Sequence, residues 1–150
     1  MKDGWITLLP EPLYLVRLAG RRQRTRDMAF RATIIPSAND WPIVAVLHAG
    51  AEPQYNLDIH RDRLTVNRIS KVASKNPVYT KVAEKKFASP EDSRSAFTIE
   101  VTMDRDRISV LKDGDKVIDV REDGVGRPGD ITLSAAKGTN GIAKLKDLSF

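Results

Sequence analysis

The sequence predicts an all-β fold: a two-sheet antiparallel β-sandwich, or jelly roll, of about eleven strands in a single domain over residues 1–150. Three observations predict it. Apolar residues recur at every second position in run after run, the period of a strand with one buried face. Turn-forming residues punctuate these runs at short intervals. No convincing stretch places apolar residues three and four apart, as an amphipathic helix requires. So many short strands cannot hide their apolar faces in one open sheet, and two packed sheets solve that problem.

The elements follow in chain order. Phe30, Ala32 and Ile34 alternate with Arg31 and Thr33, and a strand follows at Ile43 to His48. Tyr55, Leu57 and Ile59 alternate with Asn56, Asp58 and His60. Leu64 and Val66 alternate with Thr65 and Asn67, and Asp62-Arg63 between the two runs reads as a tight hairpin. From Ser89 to Arg94, a capping Ser, Pro90 and the early acids Glu91 and Asp92 predict a single helical turn. Phe97, Ile99 and Val101 alternate with Thr98, Glu100 and Thr102, and Ile108 and Val110 flank Ser109. Asp113-Gly114 is the strongest hairpin signal, because that pair accepts the positive φ of a type I′ turn. Ile131, Leu133 and Ala135 alternate with Thr132 and Ser134. Loops are expected at Pro36 to Pro42, Gly50 to Pro53, Asp123 to Gly129 and Lys137 to Gly141.

Composition narrows the function. Hydrophobic residues make up 41% and charged residues 30% of the 150, which is globular rather than disordered composition. No apolar run approaches the ~18 residues of a membrane span, and Met1 is not followed by the charged-then-apolar pattern of a signal peptide. With no cysteine there is no disulfide framework, thiol nucleophile or thiolate zinc site. The net charge of +5 favours anionic partners. Most of that excess is local, in Arg21, Arg22, Arg24 and Arg26. The cluster reads either as an anion-binding loop or as a solvated turn. No aromatic interleaves it, so stacking on single-stranded nucleic acid is not favoured.

The C-terminal half carries a resemblance. A Phe97-Thr-Ile-Glu-Val101 strand is followed by Arg107-Ile-Ser-Val-Leu111, Asp113-Gly114 and Lys116-Val-Ile-Asp-Val120. A Gly126-Arg-Pro-Gly129 loop, Ile131-Thr-Leu133 and a last run from Lys144 to Phe150 complete the order. Upstream, Gly4-Trp5, the run from Met28 to Ile34, and Tyr55 to His60 after Ile43 to His48 are compatible. The arrangement resembles the concanavalin A-like lectin/glucanase superfamily, within it the 3-keto-disaccharide hydrolase-like and laminin-G-like jelly rolls. The resemblance implies a sandwich with a sugar-binding sheet face; one fold hosts many functions, so the site must decide.

Retaining glucanases of that superfamily carry Glu-x-Asp-x-Glu on one strand, where a spacing of two puts the acids on one face. That motif is absent here: Glu100 is followed at the second position by Thr102. Asp104 and Asp106 sit among arginines at an expected hairpin. There is no Gly-x-Ser-x-Gly elbow and no phosphate-cradling glycine loop, so no catalytic residue and no cofactor is assigned. Asp113 and Asp115 offer oxygens for calcium, but Lys112 and Lys116 bracket them in a short turn, and no metal is assigned either.

Asn56, Asp58 and His60 share one strand face, and Asn67 and Thr65 lie on the wetter face of the expected partner strand. That stripe suits sugar hydroxyls or a metal; its plain alternative is the solvent side of a sheet. Trp41, in the Asn39-Asp40-Trp41-Pro42 loop, is the best stacking candidate for a pyranose. The expected function is a non-catalytic carbohydrate-binding or lectin-like module. The alternatives are a structural or protein-interaction sandwich, an anion-binding module built on the arginine cluster, and a glycoside hydrolase-like enzyme. The enzyme would need two of Asp58, Glu100 and His60 to converge in a cleft.

Overall fold

The computed structural model describes residues 6–8, 16–17, 28–35, 43–49, 52–71, 73–88, 96–123, 130–135 and 143–149. Twelve strands lie among them: β1 (Ile6–Leu8), β2 (Val16–Arg17), β3 (Met28–Ile35), β4 (Ile43–Ala49), β5 (Gln54–Ile59) and β6 (Arg63–Ser70), then β7 (Val78–Lys86), β8 (Phe97–Asp104), β9 (Arg107–Lys112), β10 (Asp115–Arg121), β11 (Asp130–Ala135) and β12 (Ala143–Ser149). They form two six-stranded sheets, in the orders β1-β12-β3-β8-β9-β10 and β2-β11-β4-β5-β6-β7. Neighbouring strands are antiparallel throughout. The expected helical turn at Ser89 to Arg94, Trp41, and Arg21, Arg22, Arg24 and Arg26 lie outside the described residues.

The alternation in the sequence becomes the core. Phe30, Ala32 and Ile34 from β3 and Ile99, Val101 and Met103 from β8 face Ala45 and Leu47 from β4, Leu57 and Ile59 from β5, and Leu64 and Val66 from β6. One cluster drawn from both sheets is what makes this a sandwich: each sheet buries its apolar face against the other. On β5 the pattern is strict, with Tyr55, Leu57 and Ile59 buried and Gln54, Asn56 and Asp58 half-buried on the opposite face.

The turns follow their chemistry. Asp113 (φ 53°) and Gly114 (φ 89°) join β9 to β10 with two positive-φ residues, as a type I′ hairpin demands. Asp113 also braces the neighbouring strand: its Oδ1 accepts from the Thr98 backbone N–H at 2.8 Å and its Oδ2 from Lys112 Nζ at 2.9 Å. These bonds already engage the Asp113 oxygens weighed for calcium. Arg105 (φ 54°) turns β8 into β9, so Asp104 and Asp106 flank a hairpin as expected. The β5–β6 turn is displaced from Asp62-Arg63: it comprises His60 to Asp62, and Arg63 is already the first residue of β6. The His60 N–H donates to the Arg63 carbonyl (2.9 Å), which continues the ladder one step past Ile59 and moves the turn forward.

β7 was not foreseen in the alternation, and a bulge explains why. Pairing with β6 runs Thr65↔Glu84 and Val66↔Ala83, then shifts to Asn67↔Lys81, so Val82 is extra. Val82 and Ala83 both pack toward the core. Consecutive inward residues break the period of two.

One polar cluster ties the two sheets together at one end. The buried Tyr55 hydroxyl donates to the Asp123 carbonyl at 3.2 Å and lies 3.5 Å from Glu122 Oε2. Arg68 Nη1 pairs with the same Glu122 oxygen at 3.1 Å. Burial first, then the Glu122 charge, pushes the Tyr55 phenol up to about 12. Tyr55 thus belongs to the core by its ring and to this cluster by its hydroxyl.

Candidate functional site

The outer face of β4–β7 is built in rows, because residues directly opposite in an antiparallel ladder point to the same side. Val44, Asp58, Thr65 and Glu84 form one row, and Val46, Asn56, Asn67 and Lys81 the next. Beyond these lie Gln54, Ile69 and Tyr79 at one end, and Arg63 opposite Lys86 at the other. The sequence stripe of Asn56, Asp58 and Asn67 is therefore one contiguous surface. His60 stands just past the end of β5, close enough for its charge to act on Asp58.

The centre of this face is partly desolvated. Asn67 Nδ2 donates to Asp58 Oδ2 at 2.7 Å across the strand pair. Asp58 is held above its ordinary carboxylate range by burial, which outweighs His60, the Asn67 bond and Arg63, all of which favour the charged form. The Asn56 amide Oδ1 is buried with no hydrogen-bond partner. An unmet buried acceptor costs about 1–3 kcal/mol. Thr65, between Asp58 and Glu84, is only 8% exposed.

The flanks come from β7. In a regular strand, residues three apart face opposite sides. The bulge at Val82 and Ala83 reverses that, so Lys81 and Glu84 both face outward and pair at 3.4 Å. Tyr79, opposite Ile69, is 63% exposed and Ile69 only 3%. Ile69 lies outside the cluster between the sheets, so this pair forms a small apolar area on the outer face itself. Tyr79, Lys81 and Glu84 were missed in the sequence reading. The signal that marks their strand is the Val78-Tyr-Thr-Lys-Val82 run, rich in β-branched and aromatic residues, just after Asn76-Pro77.

The carboxylates weighed for catalysis do not converge. Glu100, on β8 of the other sheet, alternates with the buried Ile99 and Val101 and so faces away from the core; Arg31 lies 3.7 Å from it. The core separates it from Asp58, on the second sheet, and His60 lies in the turn that follows Asp58's strand. Among the described residues, no group of three or more His, Cys, Asp or Glu is placed to hold a metal ion.

With this geometry the chain takes its place among known structures. It superposes on a carbohydrate-binding module, CBM66, of Bacillus subtilis with a TM-score of 0.61 at 17% identity, over 97% of this chain and 93% of that one. A tetrameric galectin of the sponge Cinachyrella sp. gives 0.61 at 15% identity, over 92% and 98%. A prokaryotic β-1,3-1,4-glucanase (lichenase) from a mouse hindgut metagenome gives 0.60 at 15% identity, over 98% and 79%. The chain has the jelly-roll fold of the concanavalin A-like lectin/glucanase superfamily. That fold is shared alike by the carbohydrate-binding module, the galectin and the glucanase. No protein-family model matches the sequence, and no curated protein matches it significantly.

Proposed function

We propose that the chain is a non-catalytic carbohydrate-binding module, one domain over 1–150, whose ligand lies on the outer face of β5–β7. The observation that carries this reading is the Asp58–Asn67 hydrogen bond beside the half-buried Asn56, on a face flanked by an exposed tyrosine. Amide and carboxylate groups at fixed spacing take sugar hydroxyls as donors and acceptors. Tyr79 offers a ring for the apolar face of a pyranose. The separation of Glu100 from Asp58 supports a binding role over a hydrolase that would use this pair.

The test is a broad glycan array with the full chain, followed by calorimetry on any hit with Asn56→Ala, Asn67→Ala and Tyr79→Ala. Binding weakened by all three substitutions, without release of reducing ends, is the expected result. Binding insensitive to them rejects the placement, and hydrolysis of the bound glycan rejects the non-catalytic role. A second reading has one observation in its favour. Val78 (47% exposed) and Tyr79 lie on the terminal strand of their sheet, where a protein partner could add. Concentration-dependent self-association abolished by Tyr79→Ala would favour it.

A further inference from the structure

The Arg63–Lys86 end of the same face differs in chemistry from its centre. Arg63 opens β6 and Lys86 closes β7, and the two are directly opposite in the ladder. Like charges placed directly opposite repel, and an anion held between them relieves that repulsion. Arg63 Nη1 meets Asp62 Oδ1 at 3.1 Å and Oδ2 at 3.3 Å, so the guanidinium is shared with one carboxylate beside it in the chain. Lys86 is exposed and has no ion-pair partner among the described residues. Lysines on terminal strands commonly serve to block edge pairing. That accounts for Lys86, while Asp62 accounts for one nitrogen of the arginine facing it from an interior strand.

The pair is also held in place. The turn beneath it is closed by two backbone bonds, His60 N–H to the Arg63 carbonyl at 2.9 Å and Phe87 N–H to the Asp62 carbonyl at 2.7 Å. The second of these ties the end of β7 to the β5–β6 turn, so the two cations are presented from a pinned frame. Along β7, Tyr79 and Lys86 are roughly 20 Å apart, given the ~3.3 Å rise of a strand and one bulge. An oligosaccharide long enough to reach both would carry a neutral ring at one end and meet two cations at the other.

We propose that the ligand of this face is an acidic oligosaccharide, its carboxylate or sulfate group seated between Arg63 and Lys86. This rests on the carbohydrate reading and specifies the ligand class for the same surface. Arginine offers two parallel donors to a planar carboxylate or a sulfate, and lysine adds a mobile point charge.

The experiment uses an array of neutral oligosaccharides with carboxylated and sulfated counterparts on the same backbones. It is read at low and physiological salt with the wild type, Arg63→Gln, Lys86→Gln and the double variant, each checked by circular dichroism. The acidic members are expected to bind about fivefold or more tighter than their neutral counterparts at low salt, with a smaller margin at physiological salt. Each single substitution should narrow the acidic-to-neutral ratio and the double should bring it near one. Lys116→Gln, on the other sheet, should leave it unchanged. Equal binding of neutral and acidic members overturns the inference and leaves the carbohydrate reading standing. A ratio that survives in Lys86→Gln and the double variant, or a Lys86→Gln that only increases self-association, also overturns it. Binding to no glycan at all overturns both.

Discussion

Removing the Tyr55 hydroxyl tests whether the polar cluster at the end of the sandwich fastens the two sheets. Tyr55→Phe keeps the ring among Leu57, Ile59 and the rest of the core and deletes only the donor to the Asp123 carbonyl. One hydroxyl has one proton to give, and at 3.5 Å the Glu122 oxygen is at the limit of hydrogen bonding, so a single bond is lost. Glu122 keeps its Arg68 partner, so no charge is stranded. The expected cost is about 1 kcal/mol, or ~2–4 °C in Tm for a protein of this size. Glu122→Ala should cost more, about 2 kcal/mol, because it leaves the half-buried Arg68 guanidinium unpaired.

The pH dependence gives an independent readout. The folded-state phenol is raised to about 12 from an ordinary 10.0, so between those values the folded state holds a proton that the unfolded state has released. Stability from this group is fully present below pH 10.0 and is lost as pH rises through about 12. Urea unfolding of the wild type and Tyr55→Phe from pH 8 to 12 isolates the phenol from lysines that titrate in the same window. The stability difference should shrink or reverse toward the alkaline end. Parallel curves, or equal stability at pH 8, would refute a buried, bonded hydroxyl.

Other outcomes follow from single residues. Tyr79→Ala should leave Tm nearly unchanged, since the ring is 63% exposed, yet weaken glycan binding about tenfold by calorimetry. Asp58 has a folded pKa above its unfolded value, so its contribution to stability is present at acid pH and lost as pH rises through the folded value. Asp58→Asn should therefore compare more favourably with the wild type at pH 7 than at pH 4 in denaturant midpoints. Gly114→Ala meets nothing within 4 Å, so its loss of about 1 kcal/mol by thermal denaturation should come entirely from the positive φ of 89°.

What the sequence made legible was whatever period two encodes. Tyr55-Leu57-Ile59 and Phe97-Ile99-Val101 predicted both their strands and their buried faces, and Asp113-Gly114 predicted its turn. The same alternation placed Asn56, Asp58 and Asn67 on one surface, because register between hairpin strands is a local matter. Relations between distant segments were not legible. Nothing near Tyr55 in sequence announces Glu122, which lies 67 positions away, and nothing near Glu100 says that its sheet is not that of Asp58. β7 was hidden for a different reason. It is a terminal strand, mostly exposed, with its two inward residues adjacent, so neither hydropathy nor period marks it. The aromatic chosen from sequence, Trp41, lies outside the described residues, while the one the structure offers is on that hidden strand.

The bulge in β7 decides which side chains share the outer face of its sheet. Removing Val82 would leave Lys81 and Glu84 two apart and still on one side of the sheet, whereas ironing the bulge out at constant length would set them on opposite sides, with Tyr79 moving with Lys81. In that second case no side chain on the face would have been substituted, yet Tyr79 and Lys81 would no longer share a side with Glu84 and Lys86. Insertions and deletions are usually tolerated in loops and avoided within strands. On a terminal strand, where the pairing partner lies on one side only, a length change disturbs a single ladder. A bulge gained or lost on this strand thus re-sorts which side chains share its outer face without any substitution there.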